Sequence, residues 1–235
     1  LLWLVAAMSL RPTHAIPQPY AHYTYESWNA IDNVWRDTSG NGFHSNAAKG
    51  TITMIGPYGR PNCLSGGTSD SVCLSDAAIV AATFTICSLT KYTNEHVNRE
   101  RIIQGRDDTD WFHGNWGYSA NGPAVGVAYY EGWQTAPTST VRDASAWLLF
   151  CGQNGGDGYF RANGETVANS TTGVGGERLC VNTGYKPTDV SEWAVAEIVT
   201  WDRALSLEEI EDVELHLANR FSGNASLAPT PPATS

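Results

Sequence analysis

A chain of 235 residues that is 42% hydrophobic and 16% charged can bury a sizeable core, which excludes a disordered chain and a long solvent-facing helical array. Fourteen Lys and Arg against 24 Asp and Glu give a net charge of −10, and nowhere do five basic residues cluster, which excludes a nucleic-acid footprint. With 23 Gly, nine Trp, ten Tyr and six Phe, the composition is that of many short strands joined by tight turns.

Residues 1–10, LLWLVAAMSL, are an apolar run too short to cross a bilayer unaided. Arg11-Pro12 and the small-residue pattern Thr13-His14-Ala15 follow. This is the pattern of a signal-peptide core with cleavage after Ala15, so 1–15 is expected to be a leader remnant; a buried first strand is the alternative. The domain proper is expected over 20–221. Aromatic and polar residues mix over 20–28, and Trp35 follows after a short turn. Residues 37–42, DTSGNG, form a loop whose glycines allow positive φ and in which Asp37 accepts nearby backbone N–H groups. Asp37 with Asn41 also offers hard oxygens to calcium, although the loop anchor is the preferred role.

Further strands are expected at 51–55, 83–92, 100–104, 124–130, 145–151, 158–162, 178–182 and 192–201, with Gly, Asn, Asp and Pro at the breaks. Asn163-Gly164 is a hairpin signal. The connections are too short and too poor in helical periodicity for βαβ units. The expected fold is therefore all-β: an antiparallel two-sheet sandwich with Greek-key or jelly-roll connections.

The five cysteines include no C-x-x-C pair and fit an oxidising compartment better than a metal site. Cys63 and Cys73 close a loop rich in Gly and Ser and are expected to bridge. Cys87 and Cys151 lie in apolar strands and are expected to bridge neighbours, leaving Cys180 as a buried thiol. The sequons at Asn169 and Asn224 agree with secretion.

The most unusual segment, 105–133, interleaves seven aromatics with acids, amides and a histidine. A sugar presents apolar C–H faces and a belt of hydroxyls, so its site wants a flat ring beside hydrogen-bonding side chains. The candidate glycan ligands are Asp110, His113, Asn115, Trp116, Tyr118, Glu131 and Trp133, with Trp116 and Tyr118 read as part of a loop. Phe112, Val125, Val127 and Tyr129 are read as core. Asp107, Asp108 and Asp110 are candidate calcium ligands, in a spacing that does not match the EF-hand loop; solvated loop acids are the simpler account.

One amphipathic helix is expected after residue 205. Ser206 and Glu209 form a capping box, and Ile210, Val213, Leu217 and Phe221 recur at helical spacing. Burying three such side chains contributes roughly 5–8 kcal/mol before ordering entropy is subtracted. The tail 222–235, rich in Pro, Ser, Thr and Ala, reads as a linker or glycosylated stalk.

Residues 194–221, AVAEIVTWDRALSLEEIEDVELHLANRF, resemble the closing strand and terminal helix of concanavalin A-like jelly rolls of the laminin G-like group. Residues 28–42, WNAIDNVWRDTSGNG, resemble the W-x-D-x-SGNG segment of the same group, with Trp35, Asp37 and Gly40 to Gly42 in place. The resemblance spans nearly the whole domain. It implies a jelly roll and a function among carbohydrate binding, adhesion and structure, with calcium sometimes held at the sandwich rim. The paired-acid spacings E-x-D-x-x-E and E-x-D-x-E of the related beta-glucanases are absent, and alternation sets Glu192 and Glu197 on opposite faces. No G-x-S-x-G elbow, phosphate loop or H-E-x-x-H signature occurs.

The expectation is a secreted or cell-surface lectin-like module without catalytic activity, whose partner is a glycan or an extracellular protein, with no membrane span in the mature domain. A structural or adhesive protein-interaction module is the alternative, and a glycoside hydrolase a lesser one. Calcium is the candidate cofactor.

Overall fold

The computed structural model describes residues 15–56, 62–94, 99–106, 109–117, 122–141, 143–183 and 188–221. The chain begins with β1 (Ala21–Thr24), β2 (Trp28–Asn29), β3 (Val34–Trp35) and β4 (Thr53–Ile55). Next come β5 (Cys63–Gly66), β6 (Val72–Cys73), β7 (Thr85–Tyr92), β8 (Ile103–Gly105) and β9 (Trp111–Trp116). β10 (Ala124–Tyr130), β11 (Leu148–Gln153), β12 (Tyr159–Ala162) and β13 (Glu165–Asn169) follow. β14 (Leu179–Val181), β15 (Trp193–Trp201) and the helix α1 (Leu207–Phe221) close the chain. The expected leader remnant, apart from Ala15, and the expected tail lie outside the described residues.

The strands form an antiparallel sandwich. The larger sheet runs β13-β12-β11-β7-β15-β5-β4, and the smaller runs β10-β9-β8-β14-β6. β15 pairs with β7 along its length. Its other edge is divided, residues 193–195 pairing with β5 and 197–200 with β1. Large rings fill the space between the sheets, among them Tyr23, Phe84, Trp111, Tyr130, Phe150 and Trp193, all essentially buried. Asn163 and Gly164, both with positive φ, make the turn between β12 and β13 as the dipeptide foretells.

The helix covers the far face of the larger sheet. Ile210, Val213, Leu217 and Phe221 pack on Leu89, Leu149 and Trp201, with the Phe221 and Trp147 rings 4.6 Å apart. Ser206 and Glu209 form the capping box, N–H to carboxylate at 2.9 Å and N–H to hydroxyl at 3.2 Å. Inside the helix contact lies an ion pair, in which Arg161 of β12 donates to the Glu214 carboxylate at 2.9 and 3.0 Å. The molecule is thus three layers: helix, large sheet, small sheet.

Strict alternation along β15 would put Glu197 in the core with Trp193 and Val195. A register shift between Val195 and Glu197 turns it instead to the helix side, where it meets His22 and Arg220. Asp37 is a loop anchor: its carboxylate accepts from the N–H groups of His22, Ser39 and Phe43 and from the Ser39 hydroxyl. Burial works to raise its pKa, and these donors outweigh that and hold it below the ordinary value.

The cysteines depart from expectation. Cys87 and Cys151 are bridged as expected, from directly opposed positions on β7 and β11. Cys73, however, is bridged to Cys180, and Cys63 is a free, buried thiol. Cys63 belongs to the large sheet and Cys73 to the small one, so the short loop between them crosses from layer to layer. Cys180 is the residue opposed to Cys73 on the neighbouring strand. Among the described residues no helix is long and apolar enough to cross a membrane.

Candidate functional site

The outer face of the small sheet carries the aromatic surface. Directly opposed residues of antiparallel strands share a face. The registers Tyr129↔Phe112, Phe112↔Gln104, Gln104↔Cys180 and Cys180↔Cys73 therefore draw one row of side chains across that face. Phe112 lies at its aromatic end, nearly parallel to Trp116 (centroids 6.0 Å, 8°) and to Tyr129 (5.7 Å, 14°). Trp133, on the turn after β10, stands edge-on to all three, 4.9 Å from Trp116, 5.4 Å from Tyr129 and 5.6 Å from Phe112. Phe112 is buried, Trp116 and Tyr129 are half-buried, and Trp133 is 38% exposed.

The guanidinium of Arg101 lies 4.8 Å from the Phe112 ring centroid. It pairs with Asp110 at 2.7 Å and with Asp189 at 3.4 Å. The Asp110 carbonyl accepts the N–H of Glu131, which ties the turn bearing Trp133 to the same corner. Glu131 itself is exposed and has positive φ, in a turn closed by Tyr130 N–H on the Gly132 carbonyl. Glu100 lies against Gly117, the residue after Trp116: a Cβ there would sit 2.6 Å from its carboxyl group. Burial, and then the charge of Asp189, raise the Glu100 pKa, against the pull of Arg101.

Of the sequence candidates, Asp110, Trp116, Glu131 and Trp133 come together here. Two do not. His113 and Asn115 face the large sheet and are buried, which corrects the expectation that they contact a ligand. His113 Nδ1 bonds the Tyr130 hydroxyl at 2.7 Å, with Nε2 3.2 Å from the Phe150 carbonyl oxygen. Burial pushes its pKa down to about 3, against the effect of that carbonyl. The Asn115 amide oxygen accepts from the Thr90 hydroxyl at 2.8 Å. The segment expected as a loop is the strand β9, so its side chains alternate: Trp111, His113 and Asn115 inward, Phe112 and Trp116 outward. Tyr118, Asp107, Asp108 and Asn224 lie outside the described residues.

Phe112, read as core from sequence, is indeed buried beneath the other rings, Tyr129, also read as core, is only half-buried among them, and Arg101, Asp189 and Glu100 gave no signal. An outward Phe112 could have been found from period two in 111–116, but aromatics on both faces mask the pattern. Of the calcium candidates, Asp107 and Asp108 lie outside the described residues, and Asp110 pairs through one carboxylate oxygen with Arg101. The Asp37 carboxylate is filled by its donors. Among the described residues no group of three or more His, Cys, Asp or Glu is arranged to hold a metal. Asn169 is exposed on the edge strand β13, its amide donating to the Asp157 carbonyl at 3.1 Å.

No protein-family profile matches the chain, and no curated protein matches it in sequence. Solved structures do match in shape. A Trypanosoma rangeli sialidase in complex with sialic acid is 13% identical with a TM-score of 0.59, over 91% of this chain and 35% of the sialidase. Domain 4 of an extracellular arabinanase from Geobacillus stearothermophilus, in complex with arabinotriose, is 12% identical with a TM-score of 0.60, over 85% of this chain and all of that domain. The binding domain of Paraclostridial Mosquitocidal Protein 1 is 13% identical with a TM-score of 0.58, over 86% of this chain and 53% of that one. The chain thus spans about a third of the sialidase and half of the toxin domain. At such identities these likenesses show the fold, an antiparallel β-sandwich that recurs in carbohydrate-processing enzymes and toxins alike.

Proposed function

We propose that this chain is a secreted carbohydrate-binding module of the concanavalin A-like, laminin G-like kind, and that it acts by binding without bond cleavage. The observation that carries the reading is the platform itself: half-buried Trp116 and Tyr129 flanking the buried Phe112 on an outer sheet face, Trp133 exposed at their edge, and carboxylates beside them. Rings in this setting offer stacking area to the C–H face of a pyranose, and the neighbouring acids accept its hydroxyls. Asp110 and Asp189 are held on Arg101, an arrangement that suits positioning rather than proton transfer. The arabinanase domain with arabinotriose has this fold as a free-standing unit, and the two cross-strand disulfides accord with an oxidising compartment.

The test is a glycan array followed by titration of the best hit. Trp116→Ala and Trp133→Ala should each weaken binding by about five- to thirty-fold, the equivalent of about 1–2 kcal/mol of stacking, at unchanged melting temperature. Undiminished affinity in both variants would place the ligand elsewhere.

A further inference from the structure

The charges around the platform are lopsided. The guanidinium stacked on Phe112, that of Arg101, is 5% exposed and already engaged by Asp110 and Asp189. Further carboxylates stand on both sides: Glu100 against the backbone that follows Trp116, and exposed Glu131 two residues before Trp133. The chain as a whole carries −10. Among the described residues, an acidic group brought to these rings meets four carboxylates, and the guanidinium stacked on the rings is buried and already engaged. It loses hydration and gains no partner, whereas a sugar hydroxyl finds acceptors for its proton.

From this placement we infer that the platform selects glycans without acidic groups, and that Arg101 is a positioning residue for Phe112 and Asp110 rather than a receptor for a sugar carboxylate. The inference rests on the glycan-binding reading and narrows it to a ligand class. It also separates this surface from sites where an open arginine forks onto an anionic sugar, a geometry that needs both guanidinium edges free.

The experiment prints matched oligosaccharide pairs, each bare and capped with sialic acid, and measures binding of the intact domain at low and high salt. Bare members should bind at least tenfold better than capped ones. The gap should narrow at high salt and in Glu131→Gln, because like-charge repulsion at an exposed rim is screened. Equal or stronger binding of the capped members, lost in Arg101→Gln, would overturn the inference and leave the glycan reading standing. No binding to either member of any pair would overturn both.

Discussion

The imidazole of His113 shows how a buried polar group is kept and what it costs. Tyr130 and the Phe150 carbonyl satisfy its nitrogens, and burial holds its pKa at about 3. In the unfolded chain the ring titrates near 6.5. Between those values the unfolded state binds the extra proton. The stability associated with this group is therefore complete above the unfolded pKa and is lost as pH falls through the window. The limiting slope is about 1.4 kcal/mol per pH unit. Asp37 acts in the same direction at lower pH, since its folded pKa is depressed. Urea unfolding between pH 7 and pH 4 should show the His113 slope, and His113→Gln should flatten it by about one proton; an equally steep variant would assign the proton elsewhere. His113 and Asn115 also explain why residue types alone mislead within 111–116. Two polar side chains take inward positions beside Trp111 in this strand, because each has a partner on another strand. Sequence displays the groups and not their partners.

Elements with a local cause are the ones that can be read directly. The capping box and the apolar spacing of α1 act within a few residues of each other, as does the Asn-Gly turn before β13. The Glu197 bulge and the Arg161–Glu214 pair depend on strands and a helix far apart in the chain, and neither leaves a pattern in sequence. The pair locks the helix to the edge of the large sheet. Arg161 also reaches the Gly164 carbonyl and the Thr166 hydroxyl of the hairpin turn. Burial raises the Glu214 pKa, against the favourable effect of Arg161. Removing the cation should then hurt more than neutralising the anion. Arg161→Met is expected to cost about 3 kcal/mol in denaturant unfolding and Glu214→Gln about 1 kcal/mol. In Arg161→Met/Glu214→Leu most of the loss should return. A double variant as unstable as Arg161→Met would mean that the damage comes from the hairpin contacts instead.

At the scale of the whole molecule, each sheet is stapled once, Cys87 to Cys151 in the large one and Cys73 to Cys180 in the small one. The bridges span 64 and 107 residues, so each removes loop entropy of about 4–5 kcal/mol from the unfolded chain in the chain-entropy view. Cys73→Ala/Cys180→Ala should lower unfolding stability by about 4 kcal/mol while Cys63→Ala has a far smaller effect. Alkylation of the denatured, unreduced protein should label Cys63 alone, whose burial pushes its thiol pKa up to about 11 in the fold. Label on Cys73 or Cys180 would refute this connectivity. Proximity along the chain made Cys63 and Cys73 look like partners. The layers part them, and that separation appears only once the sandwich is assembled.

The described chain enters and leaves on one side. Ile16 packs into the helix-side cluster, the Trp201 indole donates to the Pro17 carbonyl, and Phe221 ends the helix on that same layer. The four rings occupy the opposite outer surface, a full sandwich thickness away. A group joined directly at Ala15 or after Phe221 therefore meets the domain on the helix side, and the aromatic face stays open on the other.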